Sequence, residues 1–160
     1  MNDALSKALE PRIETGRTLL IAGMNEHYTM STRLGIPAQW TRFGPHIGKV
    51  PGQAGGVSYG VCWNFDAECG FDYLSGVEVS GLSGLPEDFC NIMVPAAKYA
   101  VFTHQGDVSA IPETIQRIWS EWAPRSGREI AQTPSFERYG ENFDAKAGAG
   151  DVEIWIPVKT

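Results

Sequence analysis

Two segments in the last quarter of the chain decide the fold: Thr133-Pro-Ser-Phe-Glu-Arg-Tyr-Gly140 and Asp151-Val-Glu-Ile-Trp-Ile-Pro-Val158. In both segments apolar residues alternate with polar or aromatic ones at a period of two, which is typical of β-strands. The residues between them include Gly148 and Gly150, which favour a turn. The pattern therefore predicts an antiparallel β-hairpin.

The alternation assigns the side chains of this hairpin to faces, because residues i and i+2 of a strand point the same way. Glu137 and Tyr139 share one face of the first strand, and Glu153 and Trp155 share one face of the second. The remaining face of the second strand carries Val152, Ile154 and Ile156. A carboxylate beside aromatic rings is the most suggestive chemistry in the sequence. From spacing alone, a solvated Glu beside ordinary sheet aromatics is an equally good interpretation.

Length and charge bound the class of protein. The 160 residues fit one domain, or two small halves that share a core. The 13 Lys and Arg residues against 19 Asp and Glu give a net charge of −6. This acidic balance argues against a surface that binds nucleic acid and favours cationic or neutral partners. We therefore expect no direct contact with nucleic acid.

The cysteines and the hydropathy pattern predict the compartment. Cys62, Cys69 and Cys90 match no zinc-binding spacing, so reduced thiols are expected, with a Cys62–Cys69 bridge as the alternative. The apolar runs are far shorter than the roughly 20 residues of a membrane helix, and no N-terminal signal pattern is present. These features predict a cytoplasmic protein that does not contact a membrane.

The rest of the chain alternates strands with two helices. A first strand is predicted around residues 18–24, and a helix follows with apolar residues at 36, 40, 43 and 47. Strands at 58–65 and 71–82 come next, then a long strand from 91 to 105. The second helix is predicted over 109–122, with Ser109 as its cap and Trp119 and Trp122 on its apolar stripe. Helical spacing places Trp40 and Phe43 in the core.

The two halves repeat one order of elements. Ile36-Pro37 and Ile111-Pro112 open helices 75 residues apart, and Val77 and Val152 lie in closing strands with the same separation. We therefore predict an α+β fold of one domain, 1–160, built from two strand-helix-strand-strand units at about 12–82 and 90–159. The units are expected to be related by a pseudo-two-fold axis, with the helices on the outer layers and a central cleft between the uncovered sheet faces.

The second half also resembles a known family. Residues 98–106, 111–122, 136–139 and 152–158 look like the GyrI-like small-molecule-binding family, the effector-binding domain of AraC-type and MerR-type regulators. The resemblance implies a duplicated fold and an aromatic-walled pocket whose buried glutamate receives lipophilic cations. The glutamate of the family's F-E-x-Y pattern corresponds to Glu137, and the aromatic of the last strand corresponds to Trp155.

The resemblance implies a binding protein for amphipathic, often cationic, small molecules that needs no cofactor and no metal. Relatives with several domains carry a helix-turn-helix segment before this domain. Because the domain here starts near Ile13, we expect any DNA-binding role to belong to a separate protein partner. The predicted pocket residues are Glu137, Trp155, Tyr139, Trp63, Tyr73, Tyr99 and Phe102.

Two other functions stay open. Some family members are hydrolases that open strained electrophilic rings, and Glu137 would then act as general base with Tyr139 or Tyr73 as proton donor. The gyrase-inhibitor name of the family suggests a protein-interaction module instead. The sequence does not separate the three functions, since the same residues serve the first two.

The remaining ionisable residues match no catalytic or metal-binding spacing. His27, His46 and His104 are scattered, and we interpret them as ordinary residues. The acidic residues Asp66, Glu68 and Asp72 cluster at a hairpin end, where a weak cation site is conceivable but solvated turn residues are commoner.

Overall fold

The computed structural model describes residues 10–29, 31–68, 70–104, 106–144 and 147–159, and in these ranges eight strands form one antiparallel sheet with two main helices. The α+β class is therefore confirmed. The strands are β1 Arg12–Gly16, β2 Leu19–Tyr28, β3 Gln53–Trp63, β4 Phe71–Val79, β5 Cys90–Val94, β6 Ala97–His104, β7 Ser135–Tyr139 and β8 Val152–Val158. The helices are α1, Ile36–Phe43, and α2, which starts as Ile111–Arg117, continues as a π-helical turn, Ile118–Trp122, and ends as Ala123–Arg125. Short 3₁₀ turns cover Arg33–Gly35, Gly44–His46 and Val108–Ala110. No helix among the described residues is both long and apolar enough for a membrane span.

The sheet order reveals the duplication. The strands lie in the order β1-β6-β8-β7-β3-β4-β2-β5, so β2-α1-β3-β4 and β6-α2-β7-β8 each contribute three adjacent strands. The two units meet where β3 pairs with β7, from Ser58 opposite Tyr139 to Cys62 opposite Ser135. Each unit is preceded by a short strand that pairs with the other unit, since β1 joins β6 and β5 joins β2. The predicted strand-helix-strand-strand architecture is confirmed, with its pseudo-two-fold axis between β3 and β7.

Two short connections force the sheet to curl. β1 and β2 are six strand positions apart, which is about 29 Å in a flat sheet at roughly 4.8 Å per strand. They are joined by Arg17 and Thr18 alone, and three steps between Cα atoms cover at most about 11 Å. The same limit applies to β5 and β6, which are joined by Pro95 and Ala96. The ends of the sheet must therefore approach one another.

The face without helices is turned inward by this curl and packs against itself. Tyr59 and Tyr99 both lie edge-on to Phe136, with ring centroids 5.6 and 5.4 Å away. Phe136 in turn stacks on Trp155 at 5.3 Å. The helices lie on the outer layer, as predicted. The space between the uncovered faces is not an open cleft, because it is packed by Leu19, Ile21, Tyr59, Val61, Leu74, Val94, Tyr99, Val101 and Phe136.

The outer face carries both helices. Phe43 of α1 packs on the first unit with Ala22, Val77 and Val79 of the sheet. The second unit is covered by α2, whose buried residues Ile111, Ile118 and Trp122 pack on β6 and β8. Trp40 contacts both of these hydrophobic clusters, so it bridges the strip of sheet between the helices where β3 meets β7.

Three local predictions were wrong. The strand predicted over 91–105 is two strands, because Pro95 lacks the N–H that would continue the ladder. The residue that caps the turn before α2 is Asp107, whose side chain accepts the N–H of Ser109. Trp119 was predicted to lie on the apolar stripe of the second helix, but it is 45% exposed. The π turn in α2 keeps Ile118 and Trp122 on the buried side instead.

The acidic cluster at the β3–β4 hairpin holds a histidine. His27 Nδ1 lies 2.7 Å from Asp72 Oδ1, and its Nε2 lies 3.3 Å from Asp66 Oδ2. Asp66 also accepts the backbone N–H groups of Glu68 and Gly70. The predicted weak cation site is therefore a clamp between β2 and the hairpin, with the imidazole between two carboxylates.

This clamp makes a prediction about pH. The hydrogen bond to Asp72, followed by the charges of both carboxylates, raises the pKa of His27. The stabilisation by His27 should therefore be complete below about pH 6.5 and be lost as pH rises through the folded-state pKa. We expect an NMR titration of His27 with a midpoint above 6.5. Asp72→Asn should lower that midpoint, and Glu87→Gln, at an exposed position, should not. The same His27 midpoint in Asp72→Asn as in the wild-type chain would contradict the clamp.

Candidate functional site

The site is built around the buried carboxylate of Glu137. This residue lies in β7, between Gly60 of β3 and Ile154 of β8, on the helix-bearing face of the sheet. It is only 7% exposed. No Lys, Arg or His in the described part of the chain forms an ion pair with it. An ionised carboxylate in such a place is costly unless hydrogen bonds or a cation compensate its charge.

Two tyrosine hydroxyls provide that partial compensation. Tyr139 donates to Glu137 Oε1 at 2.7 Å, and Tyr73 donates to the same oxygen at 2.8 Å. Tyr139 is two residues along the same strand, whereas Tyr73 reaches over from β4. Among the described residues no group is hydrogen-bonded to Oε2. The carboxylate therefore has one satisfied oxygen and one oxygen that a ligand can use.

Burial sets the protonation of the cluster. Desolvation raises the pKa of Glu137, and the hydrogen bonds from Tyr139 and Tyr73 offset part of that rise. The same burial, reinforced by the charge of Glu137, raises the pKa of both tyrosines well above 10. The phenols therefore remain protonated donors at neutral pH. Cys62 is half-buried in β3, and burial followed by the charge of Glu137 raises the pKa of its thiol.

Trp40 of α1 closes the cluster from above. Its indole Nε1 donates to the Tyr73 hydroxyl at 2.9 Å, and its ring lies edge-on to Tyr139 with centroids 5.2 Å apart. Trp40, Tyr73, Tyr139 and Glu137 thus form one connected aromatic and carboxylate cluster.

Two surface cavities of about 290 and 310 Å³ lie elsewhere, the first beside Trp122 and Arg125 and the second beside Trp63 and Pro134. Neither of these cavities is lined by Glu137, which is 7% exposed beside the rings of Tyr73 and Tyr139.

Gly60 makes room for the hydrogen bond between Tyr73 and Glu137. A Cβ atom at this position would lie 2.0 Å from the Tyr73 hydroxyl oxygen and 3.0 Å from Glu137 Oε1. Any side chain would therefore displace Tyr73 from the carboxylate. Gly60 was not among the predicted site residues, although an isolated glycine inside a strand is a known sign of close approach. Trp40 was predicted to lie in the core, and its contact with the cluster was not expected.

The structure separates the predicted site residues into two groups. Glu137, Tyr139 and Tyr73 come together, and Phe102 lies on the same face of the sheet but under α2, with its ring 5.0 Å from Trp122. The opposite, inward face of the curled sheet holds Trp155, Trp63 and Tyr99.

The pairing register explains the position of Trp155. Glu137 is opposite Ile154, so Trp155 is opposite Phe136 and shares its inward face.

No group of three or more His, Cys, Asp and Glu residues in the described ranges is arranged to hold a metal ion.

The close approach at Gly60 can be tested by Gly60→Ala. The methyl group should push Tyr73 away from both Glu137 and Trp40, and we expect a loss of about 1–3 kcal/mol in the free energy of unfolding. Urea denaturation measures it. Gly44→Ala is the matched control, because a Cβ there meets nothing within 4 Å. Equal stability of the two variants would show that the Tyr73 hydroxyl does not occupy this place.

Sequence relatives include a regulator. The chain is 32% identical to the transcriptional regulator BrlR of Pseudomonas aeruginosa over 152 residues, which is 94% of this chain and 56% of BrlR. The chain therefore spans a little over half the length of that relative.

Solved structures share the fold. SAV2435 bound to tetraphenylphosphonium superposes with a TM-score of 0.77 at 22% identity, over 94% of each chain. The integron cassette protein VCH_CASS2 of Vibrio cholerae gives 0.71 at 20% identity, over 92% of this chain and 95% of that one. The family model that matches residues 9–159 describes a GyrI-like small molecule binding domain, and the chain belongs to this GyrI-like family.

Proposed function

We propose that this protein binds amphipathic organic cations at Glu137, in the space that the Trp40 ring fills in the structure. The observation that carries the proposal is a carboxylate that is 7% exposed, hydrogen-bonded only to two phenols and without an ion-pair partner in the described residues. A ligand cation would provide the missing charge. The structural neighbour SAV2435, bound to tetraphenylphosphonium, supports this class of ligand.

The rings around Glu137 suit a cation with an apolar body. Trp40, Tyr73 and Tyr139 present π-systems within one cluster, and each ring face adds about 0.5–2 kcal/mol to the binding of a cation. Within the described part of the chain, Oε2 is the carboxylate oxygen without a hydrogen-bond donor, so the site offers little to a ligand with many N–H groups. Selectivity should therefore depend on charge and aromatic surface more than on directed hydrogen bonds.

Entry of a ligand requires Trp40 to move. Its indole bond to Tyr73 and its contact with Tyr139 would both be exchanged for contacts with the ligand. In this proposal Trp40 is a fourth binding residue beside Glu137, Tyr73 and Tyr139. Phe102 and the inward residues Trp155, Trp63 and Tyr99 act as the packed support under the site.

The binding event would serve as a signal. BrlR is a transcriptional regulator, and we propose that this chain passes ligand binding to a DNA-binding or other protein partner in the cytoplasm.

Hydrolysis of an electrophilic ligand is a second candidate. Burial raises the pKa of Glu137, and its Oε2 has no hydrogen-bond partner among the described residues, so the carboxylate could act as general base toward a water molecule admitted when Trp40 moves. In that case Tyr73 or Tyr139 would donate a proton to the oxyanion that develops. Formation of product from a strained electrophile, lost in Glu137→Gln, distinguishes this function from binding alone.

The charge requirement can be measured by calorimetry with tetraphenylphosphonium and the neutral triphenylphosphine oxide. Glu137→Gln keeps the size of the side chain and removes its charge. We expect this variant to weaken binding of the cation at least tenfold, about 1.4 kcal/mol, and binding of the neutral compound less than threefold. The control Glu141→Gln makes the same charge change at an exposed position nearby and should affect neither ligand. Equal losses for both ligands in Glu137→Gln would refute a charge-based site.

Binding should also depend on pH. Because burial raises the pKa of Glu137, a proton must leave the carboxylate when a cation binds below that pKa. Affinity should therefore rise with pH, by up to about tenfold per pH unit, and level off above the pKa. Calorimetry in two buffers of different ionisation enthalpy measures the released proton. Glu137→Gln should show no such dependence; an affinity that falls as pH rises would contradict the assignment.

A further inference from the structure

We infer that Gln39 is a positioning residue that holds α1, and with it Trp40, over Glu137, and that it links this closure to the turn before α1. The inference rests on the proposed function and adds the element that controls access to the site. Gln39 has no exposed surface, although it lies on a short surface helix. A fully buried side-chain amide must satisfy its hydrogen bonds locally, which makes its partners decisive for the position of the helix.

The partners of Gln39 lie on two strands. Its Nε2 donates to the backbone carbonyl oxygens of Met24 in β2 at 2.8 Å and of Tyr73 in β4 at 2.9 Å. The Ser75 hydroxyl lies 3.2 Å from the same nitrogen. The amide oxygen accepts the Tyr28 hydroxyl at 2.5 Å. One side chain thus ties α1 to β2 and β4 and uses both ends of its amide.

Other devices that hold a helix in place are weak in α1. The helix has eight residues, and its N-cap, Gly35, makes no side-chain capping bond. Helices this short are not stable in isolation and depend on tertiary contacts. Gln39 and Phe43 are its buried residues. Three side chains of α1 make directional contacts to the sheet: Gln39, Trp40, which bonds to Tyr73, and Arg42, which pairs with Glu26. Of these three, only Gln39 has no exposed surface. The position of α1 therefore depends on the Gln39 amide.

Gln39 and Trp40 hold Tyr73 at two points. Gln39 bonds to the main-chain carbonyl of Tyr73, and Trp40 bonds to its hydroxyl, which in turn donates to Glu137. Because Gln39 and Trp40 are neighbours in one helix, Trp40 cannot leave the cluster by a movement of α1 unless the Gln39 bonds to the sheet break. Gln39 therefore contributes to the free-energy difference between the closed site and an open one.

The same amide reaches the turn before α1. The ring of Tyr28 packs against Gly35, and a Cβ atom added to Gly35 would lie 3.3 Å from that ring. The Tyr28 hydroxyl donates to the Gln39 side chain. The adjoining 3₁₀ turn carries Leu34, which is 87% exposed. A displacement of α1 would break the Tyr28 bond and shift this turn. Binding of a ligand at Glu137 would thereby change the exposed surface around Leu34, which a protein partner can contact.

The test compares Gln39→Met with the control Gln116→Met, an exposed glutamine of α2. Met is close in size to Gln and removes all of the amide's hydrogen bonds. Two readouts are made on the full chain: hydrogen exchange of the Trp40 indole N–H, assigned with Trp40→Phe, and binding of tetraphenylphosphonium by stopped flow and calorimetry. In Gln39→Met we expect indole exchange to be at least tenfold faster and the limiting binding rate to rise severalfold.

The equilibrium affinity separates positioning from mere stability. If closure opposes binding, its loss should tighten tetraphenylphosphonium binding in Gln39→Met, since apparent affinity scales with the fraction of open molecules. A purely structural role would weaken binding together with stability. Tyr28→Phe, which removes one of the bonds to Gln39, should give smaller changes in the same direction and replaces Gln39→Met if that variant does not fold.

The outcomes distinguish the two proposals. Wild-type indole exchange and unchanged binding in both variants would overturn the role of Gln39 while leaving the binding site intact. No binding of tetraphenylphosphonium by the wild-type chain would instead overturn the proposed function, and indole exchange would still decide whether Gln39 holds α1. Weaker binding in both variants would also overturn the inference.

Discussion

The pairing of β3 with β7 is the constraint on which the rest of the molecule depends. It joins the two strand-helix-strand-strand units into one sheet and places Gly60 directly opposite Glu137. Because Gly60 has no side chain, Tyr73 of the first unit reaches a carboxylate of the second across it. The site is therefore shared between the units, and neither unit contains it alone.

The curl of the sheet determines which of its faces can hold a ligand. The two-residue connections bring the ends of the sheet together, so the inward face is filled by rings and aliphatic side chains. The outer face is covered at both sides by helices, and Trp40 of α1 and the Phe143 ring, 5.0 Å from Tyr139, pack on its central strip. A dense interior resists change because well-packed side chains leave no room, whereas one ring on a short helix can move at modest cost. The proposed binding site is therefore on the helix-bearing strip.

The proposed role of Glu137 in binding has a cost in folding stability. A buried carboxylate with phenols as its partners is less stable than a neutral residue of the same shape, which is why the pKa of Glu137 rises. Paired with a lysine or arginine, it would have no charge left for a ligand. Tyr73 and Tyr139 hold the carboxylate in place without neutralising it. Such strain at a site is expected where binding, rather than folding, has determined the residue.

Parity and turn residues in the sequence were enough to predict the hairpin of β7 and β8 and the shared face of Glu137 and Tyr139. They could not relate Glu137 to Trp155, because the pairing register depends on the conformation of the connection at residues 140–151. The inward position of Trp63 and Tyr99 depends on a curl that only the full strand order reveals. Gln39 could have been noticed, since it lies on the apolar stripe between Ile36 and Phe43 where a polar residue is unexpected.

The most direct measurement is a crystal structure of the chain with tetraphenylarsonium, whose arsenic can be located by its anomalous scattering. The account predicts arsenic on the helix-bearing face, within about 6 Å of the Tyr139 ring and beside the Glu137 carboxylate, with Trp40 displaced. Arsenic in the inward face beside Trp155, or in a surface cavity with Trp40 still bonded to Tyr73, would contradict it.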